Sequence, residues 1–332
     1  MERGTDKVLR GFLDERRREA TAIDPRLAVL VDELEGTVGS GGKRLRPRLV
    51  LWGYRAGGGS PDDQKDEPIL RAAASLELLH TFALIQDDVM DRSQTRRGRP
   101  ASHVTLAGQA SRDARRFGES AAILLGDLAL IWADRLMVES GFPPEPLKHA
   151  LTIYNALRTE VTLGQYLDVL AAHAESPTEE DALQVNRYKT ATYTVQRPIQ
   201  LGLALAGAGS DAIETIPAYA VPAGVAFQLR DDLLGAMGDP AQTGKPSGED
   251  LLAGKPTWLW ARTLRLSPEA ADLQDLDNLR SAVIDSGAAA DAEKKIAELT
   301  EEALHALERV PAPNELRREL AELTRQMVWR TS

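Results

Sequence analysis

The chain contains no cysteine, which excludes disulfides and thiolate metal centres, and its five histidines leave little scope for a zinc site. Aromatic residues make up only 5%, β-branched runs are short, and no segment shows the two-residue alternation of a half-buried strand. No run of about 18 consecutive apolar residues occurs, so no membrane-spanning helix is expected. The first residues, Met1 to Lys7, are charged and lack the apolar core of a signal peptide. A soluble, cytoplasmic protein without integral membrane association is expected. With 40 basic and 50 acidic residues the net charge is -10, which argues against a nucleic-acid partner.

Helical periodicity dominates what is present. Glu67 to Asp91, Gly118 to Ser140, Leu147 to Ala174 and Ala289 to Val310 are long segments rich in Ala, Leu and Glu, with no internal proline. Breaks fall at Gly39-Ser40-Gly41-Gly42, Gly57 to Pro61, Gly98-Arg99-Pro100, Gly141 to Pro146, Ser176-Pro177 and Gly238 to Gly254. No internal repeat or low-complexity linker divides the chain. The pattern predicts a single all-α domain over residues 1–332, a large helical bundle around a central active-site cavity. Acidic residues after Ser176-Pro177-Thr178 predict a helix start there.

Two aspartate pairs stand out. Asp87-Asp88, followed by Asp91, ends the apolar segment from Glu67, and Asp231-Asp232 lies in Phe227 to Leu234. Adjacent carboxylates in apolar helices are costly unless cations offset them. Oxygen ligands supplied in ones and twos suit a Mg2+ that also coordinates phosphate. Two such clusters facing one another would clamp a diphosphate through magnesium. On a helical wheel His80, Leu84, Asp87 and Asp91 share one narrow arc, with Asp88 at its edge. Gln228, Asp231, Asp232 and Gly235 form a second stripe.

Basic clusters accompany the acids. Arg96, Arg97 and Arg99 follow the first cluster, and guanidinium groups bind phosphate oxygens in bidentate fashion. Lys43-Arg44-Leu45-Arg46 follows a glycine-rich break, with Lys43 and Arg46 expected on one side of a helix's first turn, where anions are favoured. Lys189 and Thr190 offer a cation and a hydroxyl. After the second aspartate pair, Gly244-Lys245 and Gly254-Lys255 lie in a segment that reads as a phosphate-closing lid.

In this order the motifs resemble those of the trans-isoprenyl diphosphate synthase (polyprenyl synthetase) family. Gly42 to Pro47 resembles its GKRxRP element, Glu77 to Asp91 its first aspartate-rich motif, and Arg96-Arg97-Gly98 the signature that follows. Gly164-Gln165-Tyr166-Leu167-Asp168 resembles GQxxD, Lys189-Thr190 the KT element, and Phe227 to Asp232 the FQxxDD motif. The resemblance implies an isoprenoid synthase-like fold and a Mg2+-dependent prenyltransferase, by default a homodimer, acting on isopentenyl diphosphate and allylic diphosphates. Asp87, Asp88, Asp91, Asp231 and Asp232 would be metal ligands. Arg96, Lys189, Gln228, Lys245 and Lys255 would contact the allylic substrate or its diphosphate. Lys43, Arg46, His80 and Arg97 would hold isopentenyl diphosphate, and Thr190, the Lys189 carbonyl and Gln228 would face the developing carbocation.

The chain departs from the family pattern at Gly235, where many relatives carry a third aspartate, and at Gln86, where histidine is frequent. Weaker metal contact is expected at the first and a role behind the ligands at the second. Phe82 and Ala83 stand five and four residues before Asp87, where the family's product length is read. One aromatic with a small neighbour resembles the geranylgeranyl type, with farnesyl or longer products as alternatives. A class I terpene cyclase would share the metal chemistry but needs no second diphosphate site. A non-catalytic helical partner subunit would ordinarily lack the intact first acidic cluster.

Overall fold

The computed structural model describes residues 2–59, 67–174, 176, 178–238 and 248–329. They form helices throughout, apart from one hairpin of two-residue strands. The chain divides into two compact units, Met1–Leu147 and Lys148–Ser332, and each is described by itself.

The first unit is built on α4 (Glu67–Met90), with α1 (Glu2–Ile23), α2 (Ala28–Gly39), α3 (Leu45–Ala56), α5 (Ser102–Ala107) and α6 (Ala114–Val138) around it. α4 is apolar on all sides, and Ala72, Ala73, Ala74, Leu76, Leu78 and Leu79 are shut off from solvent in near-continuous succession. That pattern makes it the core helix, since no polar face remains to be solvated. By length and composition α4 could cross a membrane, but 67% of its most apolar stretch is buried inside the protein. Of its buried acids, Glu77 is paired with Arg44, which also bonds Asp6 (3.1 Å) and the Val38 carbonyl (2.8 Å). Arg44 takes a left-handed φ of 44° as the N-cap of α3. Lys43 therefore precedes the helix and does not share its first turn with Arg46, contrary to the expectation from spacing. The glycine-rich break at Gly41-Gly42 lets the chain turn before the helix can begin.

α4 ends in a tight motif. Arg92 adopts a left-handed φ of 54°, and the Ser93 N–H reaches back to the Asp88 carbonyl at 3.0 Å, closing the last turn. The hairpin follows, pairing Thr95 with Pro100 and Arg96 with Arg99. Its two-residue turn is Arg97-Gly98, with φ of 52° and 73°, the pair of positive angles that matches the twist of the flanking strands.

The second unit centres on α10 (Ser210–Met237), packed by α9 (Arg197–Leu205), α11 (Glu249–Leu252), α12 (Trp258–Leu266), α14 (Ala288–Leu307) and α15 (Asn314–Val328), and it also holds most of α7 (Pro144–Ala172), α8 (Glu179–Val185) and α13 (Leu276–Asp285). The break read from Gly238 to Gly254 thus contains one short helix, α11. Leu229, Leu233, Trp258, Trp260 and Ile296 belong to one buried cluster. Arg230 fastens α10 to the chain's C-terminal helix through a 2.8 Å bond to the Val328 carbonyl, and to Glu293 through two bonds of 2.6 Å. The helix start expected after Ser176 is present, with Thr178 and Asp181 capping each other. Between α8 and α9, residues Asn186–Gln196 are wound as a π-helix. Pro198 follows after one residue, Arg197. A proline ring collides with the carbonyl four residues earlier in an α-helix, and wider turns before it relieve that conflict.

Candidate active site

In the first unit the acids expected as a group are brought together at the C-terminal turn of α4. Asp88 is buried, Asp87 half-buried and Asp91 exposed. This is the negative end of the helix dipole, where carboxylates are least favoured. Arg96 offsets them, donating to Asp88 Oδ1 from Nε (2.8 Å) and Nη2 (2.5 Å) and to Asp87 Oδ2 at 3.2 Å. Burial nevertheless lifts the Asp88 carboxyl above the ordinary carboxylate range, against the opposing effect of Arg96.

One step along the hairpin, Arg97 points elsewhere. It donates to the Gly41 carbonyl and lies 3.4 Å from His80 Nε2. A Cβ on Gly42 would stand 3.1 Å from the Arg97 guanidinium, so the glycine lets the two segments meet. Burial pushes the His80 pKa well below its usual value, and the charges of Arg46, Arg97, Arg96 and Arg44 push it the same way. His80 is therefore a neutral imidazole inside a cationic pocket. Burial likewise lowers the Arg97 pKa. Arg46 and Arg97 thus set His80 in one positive field. Gln86 does not back the acids. It reaches α6, at 3.3 Å from the Ile123 carbonyl and 3.5 Å from Asp127.

In the second unit a cleft is lined by Lys189, Thr190, Gln228, Asp232 and Lys255, together with Asp168, Asn186 and Asp250. The π-helix supplies the first two. Lys189 Nζ bonds Asp168 at 2.6 Å. Thr190 donates to Gln228 Oε1 at 2.7 Å, and Gln228 in turn donates to Asp232 at 2.8 Å. Gln228 is thus locked in orientation from both ends. Burial raises the Asp232 pKa to about 7, against the Gln228 hydrogen bond and the charge of Lys255. Asp231 is half-buried on the same helix. Lys245 lies outside the described residues.

Asp168 was legible only as part of a motif, and Asp250 not at all. A Cβ on Gly235 would stand 3.4 Å from Asp250 Oδ2, so a carboxylate from α11 borders the position where the second motif lacks its acid. No spacing rule links residues 235 and 250.

Among the described residues no group of three or more His, Asp or Glu could hold a metal ion unaided. The candidate donors are oxygens only, and half-buried Asp87 stands one turn from exposed Asp91. This donor set fits Mg2+ that keeps water and phosphate among its ligands.

The polyprenyl synthetase family model matches residues 28–297. A geranylfarnesyl diphosphate synthase from Aeropyrum pernix is 33% identical over 314 residues, covering 90% of this chain and 94% of that protein. An all-trans-nonaprenyl-diphosphate synthase (geranyl-diphosphate specific) from Rhodobacter capsulatus is 31% identical, covering 91% and 90%. Among solved structures, geranylgeranyl pyrophosphate synthase from Corynebacterium glutamicum, complexed with isoprenyl diphosphate and magnesium, is similar with a TM-score of 0.92 at 37% identity, covering 98% of this chain and 97% of that one.

The elevated Asp232 pKa has a measurable consequence. Folding favours the protonated carboxyl, so its stabilisation is full below the unfolded value of 3.8 and is lost as pH rises through about 7. In chelator, the thermal midpoint of Asp232→Asn relative to the parent should climb between these pH values and then level off. A difference independent of pH would refute the assignment.

Proposed function

Because this chain belongs to the polyprenyl synthetase family and is a prenyltransferase of the all-helical isoprenoid synthase fold, we propose that it condenses isopentenyl diphosphate head-to-tail with an allylic diphosphate, using Mg2+, to form geranylgeranyl diphosphate. The observation that carries the reading is the separation of the two neighbouring arginines. Arg96 is engaged with the acids of α4, whereas Arg97 joins Arg46 around neutral His80. Two distinct anion-binding duties on adjacent residues fit an enzyme with two diphosphate substrates. A cyclase would need only one.

Asp87, Asp88 and Asp91, with Asp231 and Asp232, would hold the metal, which when bound supplies positive charge to the departing diphosphate. Arg96, Lys189, Lys245 and Lys255 grip the allylic diphosphate. As its carbon–oxygen bond breaks, positive charge builds on the allylic carbon. Thr190 donates its hydroxyl proton to Gln228, which leaves the oxygen lone pairs to stabilise that charge. Lys43, Arg46, Arg97 and His80 hold isopentenyl diphosphate, whose alkene forms the new carbon–carbon bond. The released pyrophosphate takes the proton that is lost. Water must be excluded throughout, or it would capture the cation. In this reading residues 1–332 serve as one polyprenyl synthetase domain, in a soluble cytoplasmic enzyme.

Homodimerisation is supported by α6. Phe117, Leu124, Ile131 and Val138 recur every seventh residue and are all exposed, Leu124 at 64% and Ile131 at 60%. A heptad-spaced apolar stripe suits a second copy of the same helix. Leu124→Glu with Ile131→Glu should turn a dimer into a monomer in light scattering. A parent chain that is already monomeric would exclude the dimer.

Turnover tests the chemistry. Asp87→Ala should lower kcat by several orders of magnitude, and activity near that of the parent would sink the mechanism. Arg97→Ala should raise KM for isopentenyl diphosphate far more than for the allylic substrate, whereas Lys255→Ala should do the reverse. Equal effects of both changes on both substrates would refute the division of sites.

Product length rests on the residues one turn before Asp87. Ala83 and Phe82 are both half-buried on α4, and Ala83 lies beneath Asp87 at i−4. Ala83→Phe should shorten the main product, and Phe82→Ala should lengthen it. Chromatography of products made from each allylic primer decides. An unchanged distribution in both variants would move the floor of the tunnel to another helix.

A further inference from the structure

The π-helix that carries Lys189 and Thr190 is gripped from two sides in the same manner. On α7, a Cβ at Gly164 would stand 2.6 Å from the backbone nitrogen of Lys189 and 2.8 Å from the carbonyl carbon of Tyr188. One turn further along α7, Asp168 holds the Lys189 ammonium at 2.6 Å. On α10, a Cβ at Gly224 would stand 2.4 Å from Cα and 2.6 Å from Cβ of Ala191. One turn further along α10, Gln228 accepts the Thr190 hydroxyl at 2.7 Å. Each helix therefore presents a bare backbone at one position and a polar partner four residues later. The first sets how closely the π-helical turn can approach, and the second captures its functional side chain.

We propose that Gly164 and Gly224 are positioning residues of the prenyl transfer, Gly164 acting through Lys189 and Gly224 through Thr190. A methyl group at either site meets backbone, or Ala191 beside it, which has no flexible end to swing aside. The π-helical turn must then retreat by about 1 Å to restore ordinary contact. A retreat of that size stretches the 2.7 Å bond from Thr190 past useful hydrogen-bond length and withdraws the oxygen from the developing charge. Misplacement by about 1 Å costs roughly 100-fold in rate when geometry is what the group supplies.

The inference rests on the proposed roles of Lys189 and Thr190, and a double-mutant cycle separates the two questions. Gly224→Ala, Thr190→Ala and the double variant are compared for kcat, for KM of isopentenyl diphosphate and for thermal midpoint. Gly224→Ala should lower kcat by about 100-fold with little change in that KM. On the Thr190→Ala background the same glycine change should cost less than about threefold, because the group it positions is gone. A full 100-fold loss on both backgrounds would overturn the proposal, since the glycine would then be acting on packing in general. Near-parent turnover by Thr190→Ala alone would instead overturn the role of Thr190, and the glycine's link to it with it. If Gly224→Ala does not fold, the same cycle with Gly164→Ala and Lys189→Ala decides. Loss of the glycine effect on the Lys189→Ala background supports the proposal and an additive effect overturns it.

Discussion

Carboxylates set into apolar helices must be met by positive charge, and the candidate residues of each unit are organised around that constraint. At the end of α4 the dipole, the burial of Asp88 and the proximity of Asp87 all oppose ionisation. Arg96 answers them from a hairpin that begins only a few residues later. In the second unit Asp168 engages Lys189, while Asp232 is answered by a hydrogen bond from Gln228 and by the field of Lys255. Two candidate cations, Arg96 and Lys189, are thus occupied by carboxylates. In the proposed reaction a metal ion would relieve Asp87 and Asp88 of Arg96, and a diphosphate would take up the freed guanidinium. Binding of metal and of diphosphate would then be linked, each raising the affinity for the other by the same factor.

Backbone geometry provides the precision that these exchanges require. Arg44, Arg92 and Arg97 all adopt left-handed φ values, a conformation that costs about 1 kcal/mol or more outside glycine. All three stand where the chain turns into or out of an element that carries candidate residues. Arg44 is held there by its buried pairing with Glu77, and Arg92 by closing α4. Arg97 is held by the hairpin turn and by its contact with Gly41. Among the described non-glycine residues only Asp113 shares this conformation elsewhere, and the cost at the three arginines is offset by contacts within the first unit.

Much of this was legible in the sequence, for physical reasons that also explain what was not. The long helices announce themselves because apolar residues recur at helical spacing over many turns, as in α4 and α6. The acids at Asp87, Asp88 and Asp91 stand out because charge at the end of an apolar run is costly. Other features depend on a single residue or a distant contact. Periodicity averages over turns, so it cannot register the winding change in Asn186–Gln196, and the spacing of Lys43 and Arg46 put Lys43 in the first turn of α3, which begins two residues later at Leu45. Arg44 reads as one more base in a phosphate-binding run, yet its partners Asp6 and Glu77 make it a strut of the first unit. Asp250 meets Gly235 only through folding. Gln86 sits beside the acids in sequence, but the bare backbone of Gly126 admits it to α6.

The hairpin after α4 has a bearing on what lengths of chain this enzyme can tolerate. The pairings Thr95 with Pro100 and Arg96 with Arg99 leave only Arg97-Gly98 for the turn, so Arg96 stands on a strand and Arg97 on the turn itself. An insertion or deletion of one residue between Asp91 and Arg99 would shift this register and draw one or both arginines off their partners. Any designed graft of a longer loop here would need to rebuild the turn, or surrender the contact of Arg96 with the acids or that of Arg97 with His80.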